Sequence, residues 1–177
     1  MTERPDAGAP SAETPPGGHA PDPSGAPLHR VHLLNLPLPL LLAGQEHHDG
    51  LMREFRLLAL AGQFDQSDAP VRLVQLVDIL GQQYATTRDR RDEEVDAALQ
   101  RGAETMDQSF DAPQTAALAA RSLLSLLEDA DTFCEEARLM TLPRPPLLRQ
   151  FSHWYLGQVV DQIEGRPARP WDGPLRP

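Results

Sequence analysis

Proline constrains this chain more than any other residue. Of its 18 prolines, seven lie in residues 1–27 and four in residues 165–177. Proline fixes φ and removes a backbone donor, so neither stretch is a helix interior. The first also holds four glycines and five alanines, has no aromatic side chain, and meets its first leucine at Leu28. Such a segment buries too little apolar surface to offset its ordering entropy. Residues 1–27 therefore read as a disordered tail, and 165–177 as a Pro-rich, equally disordered C-terminal tail. Trp171 is the odd member of that tail: it either folds back onto the domain or anchors a partner. The folded body is 28–164, one helical domain long enough to bury a substantial core.

Within the body, prolines fall at the joints. Val31-His32-Leu33-Leu34-Asn35-Leu36 is a strand or an extended lead-in that stops at Pro37. Pro37 and Pro39 suit a helix start, where the first turn has no use for N–H donors. From about Leu38 to Ala61, Leu41, His48, Met52, Phe55 and Leu58 form one stripe. Glu46, Asp49, Arg53 and Arg56 lie opposite, acids before bases, which favours i,i+4 pairing and the helix dipole. Gly62 ends this helix. A second helix is predicted through most of 70–101, capped by Asp68 with Pro70 in its first turn. Val74, Val77, Leu80 and Tyr84 are its apolar stripe, Thr87 is the site of a kink, and Val95, Ala98 and Leu99 resume the pattern. Residues 105–110 alternate weakly. If they form a strand, its partner is 31–36, and such a ribbon is marginal unless packed on helices.

The third helix has the clearest start: Asp111 as cap, Pro113 in the first turn, Gln114 three residues after the cap. Its stripe is Ala116, Ala120, Leu123, Leu127, Ala130, Cys134 and Ala137. Pro145-Pro146 opens a fourth helix with Leu148, Phe151, Tyr155, Val159 and Ile163 on one face. The expectation is an all-α, four-helix-bundle-like domain with disordered termini and room for one short two-stranded ribbon.

Charge then narrows function. The formal net charge is −10, and all 16 basic side chains are arginine. Affinity for phosphate backbones needs clustered cations, so the balance argues against a nucleic-acid partner. No apolar run reaches the ~20 residues that span a bilayer, and no apolar signal segment opens the chain. A cytoplasmic protein without a membrane role is expected. One cysteine, Cys134, excludes an internal disulfide; on an apolar stripe it is expected to be buried and inert. No Gly-x-Ser-x-Gly elbow and no glycine-rich phosphate loop occurs, and without lysine there is no side-chain amine for Schiff-base chemistry. These absences argue against an enzyme, and no cofactor is expected.

Three clusters remain. Glu46-His47-His48-Asp49 combines metal-capable residues, but adjacent helical side chains point about 100° apart. The His-Glu-x-x-His zinc spacing and the Glu-x-x-His di-iron spacing are both absent. The acidic third helix puts Glu128, Asp131 and Glu135 on one stripe, fit for an arginine-rich partner, for internal pairing with Arg149, or for solvent. Trp154, beside Tyr155, covers a helix end or stands as an exposed anchor.

Several strings look familiar together: Leu33-Leu34-Asn35-Leu36-Pro37 followed by Glu46 to Phe55, Asp129 to Cys134 with Leu139-Met-Thr-Leu-Pro143, and Phe151 to Leu156. They resemble an uncharacterised helical domain common in actinobacteria. Domains of that kind accompany anti-sigma regulatory ATP-binding proteins, which are serine-kinase-like, and STAS-type proteins. The resemblance spans most of 30–164 and implies partner-switching control of transcription, with one of those two proteins as partner. It implies no kinase activity, since no ATP-binding segment is present. The expectation is thus a non-catalytic regulatory module that binds a protein through Glu46, Asp49, Arg53, Glu128, Asp131, Glu135 or Trp154. Two alternatives stand beside it: a metal-binding helical protein using Glu46, His47, His48 and Asp49, and a small-ligand sensor with a pocket between helices.

Overall fold

The extended segments on either side of the first three helices pair with each other. The computed structural model describes residues 27–61, 69–83, 85–136 and 140–176. In it, strand β1 (Leu28–Pro37) runs antiparallel to β2 (Thr105–Pro113), from Leu28 opposite Pro113 to Pro37 opposite Thr105. Helices α1 (Leu38–Leu60), α2 (Ala69–Gln83) and α3 (Ala85–Gln100) lie between the strands, and α4 (Thr115–Glu135) and α5 (Pro146–Ile163) follow. Among the described residues, five helices and a two-stranded sheet overturn the all-α four-helix bundle.

The sheet survives because it is packed, not because the ribbon is stable alone. Val31 and Leu33, two residues apart, point to one face of β1 and are fully buried. Val31 packs with Ala112, Val159, Val160 and Ile163. Leu33 packs with Leu36, Val95, Leu148 and Phe151. A third cluster lies under the other end of α1, where Met52 and Phe55 meet Leu73, Leu126 and Cys134.

Within 70–101 the described residues are helical in α2 and α3, on either side of residue 84, and Thr87 lies inside α3. Another expectation is corrected. Asp111 is not a helix cap: β2 continues to Pro113, and both Asp111 carboxylate oxygens accept from Arg30 Nη1 across the sheet at 3.1 Å. Helix α4 starts at Thr115, behind Gln114, whose side chain makes no cap bond. The proposed boundaries at Gly62 and Asp68, the stripe residues Tyr84 and Ala137 and the tail 1–26 lie outside the described residues.

The C-terminal tail is not disordered through 176. A bulge interrupts the ladder between Leu33 and Leu36, and Asn35 there takes φ 56°, a left-handed conformation that asparagine tolerates. The bulge leaves Leu34 O free to accept Trp171 N–H at 3.0 Å. Asn35 Nδ2 donates to Trp171 O at 2.7 Å. Trp171, only 2 % exposed, sits edge-on to Phe151 and Trp154, with ring centroids 5.8 and 5.5 Å away. A Cβ on Gly173 would lie 2.5 Å from the Trp171 ring, so only glycine lets the chain turn over the indole.

Candidate functional site

Four helices leave a gap where the polar helix α3 meets α1, α4 and α5. The resulting cleft measures about 490 Å³. Leu41, Val95, Leu148 and Phe151 are its buried apolar floor, and exposed Leu42, Asp49 and Asp96 lie at its mouth. Helix α3 brings few apolar side chains, so Val95 and Ala98 hold it to the core while Arg91 reaches over the gap. Arg91 Nη1 donates to the Tyr155 hydroxyl at 3.2 Å, and Nη2 pairs with Asp92 at 3.3 Å. Burial works against the charge on Arg91, but Tyr155 and Asp92 outweigh it and raise its pKa.

Among the residues lining the cleft, Arg144 is a buried cation, 4 % exposed, set between Pro143 and Pro145. Asp131 of α4, also 4 % exposed, receives it as a fork. Oδ1 accepts from Arg144 N at 2.9 Å, and Oδ2 accepts from Nε at 3.0 Å and Nη2 at 2.7 Å. Arg149 Nε approaches the same Oδ2 at 3.2 Å. Two buried charges persist only when paired this closely, since either one alone would carry a desolvation penalty of several kcal/mol. The fork leaves Arg144 Nη1 over. That atom and His47 Nε2 both belong to residues lining the cleft, and both are buried without a protein partner. Burial lowers the His47 pKa; Asp131 works against that shift and Arg144 adds to it. His47 is therefore a neutral imidazole at neutral pH, within electrostatic reach of the pair.

The sequence candidates scatter. Asp131, expected on a partner-binding stripe, is the buried acceptor just described. Trp154 is half-buried, not an anchor in solvent: its indole N–H donates to Arg169 O at 3.0 Å. Glu135 pairs with Arg149 at 2.5 Å, and Glu128 Oε1 lies 3.0 Å from His153 Nε2. Glu46, Asp49 and Arg53 do remain exposed on α1. With Arg56, Leu57 and Leu60 they form one continuous stripe at steps of three and four residues. Leu57 and Leu60 are 62 % and 86 % exposed. Sequence reasoning missed Arg144, because a lone arginine among prolines carries no periodicity.

Beside the stripe, Glu54 clamps the segment after α4. Its carboxylate accepts from Met140 N, Thr141 N and the Thr141 hydroxyl at 2.5 to 2.9 Å. Burial opposes ionisation of Glu54, but these bonds prevail and hold its carboxyl below the ordinary range. The clamp holds Met140 and Leu142 exposed near the leucine end of α1. Cys134 is buried; desolvation first, then Asp131 and Glu54, push its thiol up to about 11, which suppresses the reactive thiolate.

Among the described residues, no three His, Cys, Asp or Glu side chains come together as a metal site, Glu46-His47-His48-Asp49 included. No described helix is long and apolar enough to cross a membrane. Comparison with protein-family models, with curated proteins and with solved structures finds no match.

Proposed function

We propose that this chain is a non-catalytic helical regulatory module that works in the cytoplasm by binding another protein along the exposed stripe of α1. The observation that carries the reading is the stripe itself. Acidic Glu46 and Asp49, basic Arg53 and Arg56, and apolar Leu57 and Leu60 follow one another down a single helix face. Exposed leucines in register with a charged stripe are what a helix offers to a partner groove: the apolar end gives affinity, and the charges set register and on-rate. Met140 and Leu142 are exposed too, on the segment that Glu54 of the same helix holds. The partner class suggested by the resemblance is an anti-sigma regulatory ATP-binding protein or a STAS-type protein, in partner-switching control of transcription.

Affinity purification of the tagged chain from its native host, read by mass spectrometry, tests this. A specific protein recovered with the wild type and lost with Asp49→Arg or Leu57→Asp/Leu60→Asp is the expected result. A partner retained by both variants would move the interface off α1. Recovery of no regulatory protein, even after cross-linking, would remove the reading.

A further inference from the structure

We propose that the cleft between α1, α3, α4 and α5 binds a small, largely apolar molecule through one hydrogen-bond-accepting oxygen, a carboxylate or a carbonyl, held by Arg144 and His47. This goes beyond the protein-binding reading and does not depend on it.

Volume comes first. About 490 Å³ lies within the range of small-molecule sites, and their usual build is an apolar wall with few polar groups. Leu41, Val95, Leu148 and Phe151 supply the wall. The polar groups at the floor are selective in sign. A guanidinium only donates, and Arg144 Nη1 is the part of it that Asp131 does not use. His47 Nε2 is the second buried nitrogen left without a partner, and in the tautomer that carries its proton there it donates too. Buried donors left alone are costly, and an acceptor oxygen brought into the cleft their residues line would relieve that cost.

Position of the charge narrows the head group further. Asp131 already neutralises Arg144, so the free Nη1 offers hydrogen bonds more than bare charge, which suits a carbonyl as well as a carboxylate. A cationic head would be drawn instead to the carboxylates that line the cleft, Asp49, Asp92 and Asp96.

Calorimetric titration and thermal melting of the full chain test the assignment, with decanoate, decan-2-one and decyltrimethylammonium as probes. The three share an apolar chain and differ in the head. Saturable one-to-one binding of decanoate or decan-2-one, with a rise in Tm, is expected, and weaker binding of the ammonium compound. Decanoate alone would define a carboxylate site; both would define a carbonyl-tolerant one. His47→Leu removes one donor without unpairing Arg144 and should weaken binding about tenfold. Ser152→Phe fills the cleft from α5 and should abolish it. Both variants must melt cooperatively, as a check that they fold. The assignment is overturned if neither oxygen-bearing probe binds, if the ammonium probe binds as tightly, or if either variant binds like the wild type.

Discussion

The two ends of this molecule treat their surfaces in opposite ways. At the sheet end, the outer edge of β1 is covered. Gln162 of α5 uses its side-chain amide as a strand would, accepting from His32 N at 2.9 Å and donating to His32 O at 2.8 Å. Trp171 continues the cover at Leu34 and Asn35. Gln158 Oε1 accepts from Arg169 N at 2.8 Å, and Asp161 ties down Arg166 and Arg169. At the other end, α1 exposes Leu57 and Leu60, with the Glu54 clamp and the Arg56–Asp78 ion pair, at 2.7 Å, beside them. An uncovered strand edge invites aggregation and is usually capped. An exposed helix face has no unpaired backbone, so it can stay open for a partner. The contrast teaches where function can lie: the closed end is structure, and the open end and the cleft are available.

Breaking the joint between the ends should have the largest effect. Asp131→Ala strands Arg144 in the interior and is expected to cost about 3–5 kcal/mol in urea unfolding. A loss below about 1 kcal/mol would mean that Arg144 finds water. Next comes the closed end itself. Trp171→Ala should cost about 3 kcal/mol, the range for a buried aromatic, and expose the β1 bulge to hydrogen exchange around Asn35. A tail merely draped over the surface would give almost no change.

A smaller effect belongs to pH. His47 is held neutral, so below its unfolded value of about 6.5 the unfolded chain binds a proton that the fold resists. Its contribution to stability is full above that value and declines as pH falls toward the lowered folded value. The urea midpoint should drop between pH 7.5 and 5.5, and His47→Leu should flatten the slope. Glu54 and Asp161, with lowered pKa values, act separately: what they contribute is lost only in the carboxylate range, below about 4.5. The smallest stability effect is expected at the open end. Leu57→Asp and Leu60→Asp should each stay within about 0.5 kcal/mol of wild type while abolishing capture of the partner. A large loss of stability would show instead that these leucines are packed.

Much of the layout can be read from proline and periodicity. Proline at 37, 39 and 146 marks helix starts, because the local rule is tied to the missing N–H. Leu148, Phe151, Val159 and Ile163 are buried at the spacing expected of α5. The candidate site was far less legible. Asp131 and Glu128 look alike in sequence, three residues apart on one helix. One is sealed against Arg144 and the other reaches His153 at the surface. Asp111 followed by Pro113 and Gln114 reads as a cap, yet pairing with β1 claims it first, because a long-range ladder outweighs a local cap signal.

By itself the sequence determined where helices begin, which faces are apolar, and that the chain is acidic and lacks the local motifs of common catalysts. These are local or additive properties, and spacing suffices for them. Only the tertiary structure decided that two distant extended segments pair, that a proline-rich tail docks through Trp171, and that Arg144 and His47 line one cleft. Each depends on groups far apart in the chain, Asn35 and Trp171 or Asp131 and Arg144 among them. Such partners are chosen by geometry and desolvation, which no single stretch of sequence carries.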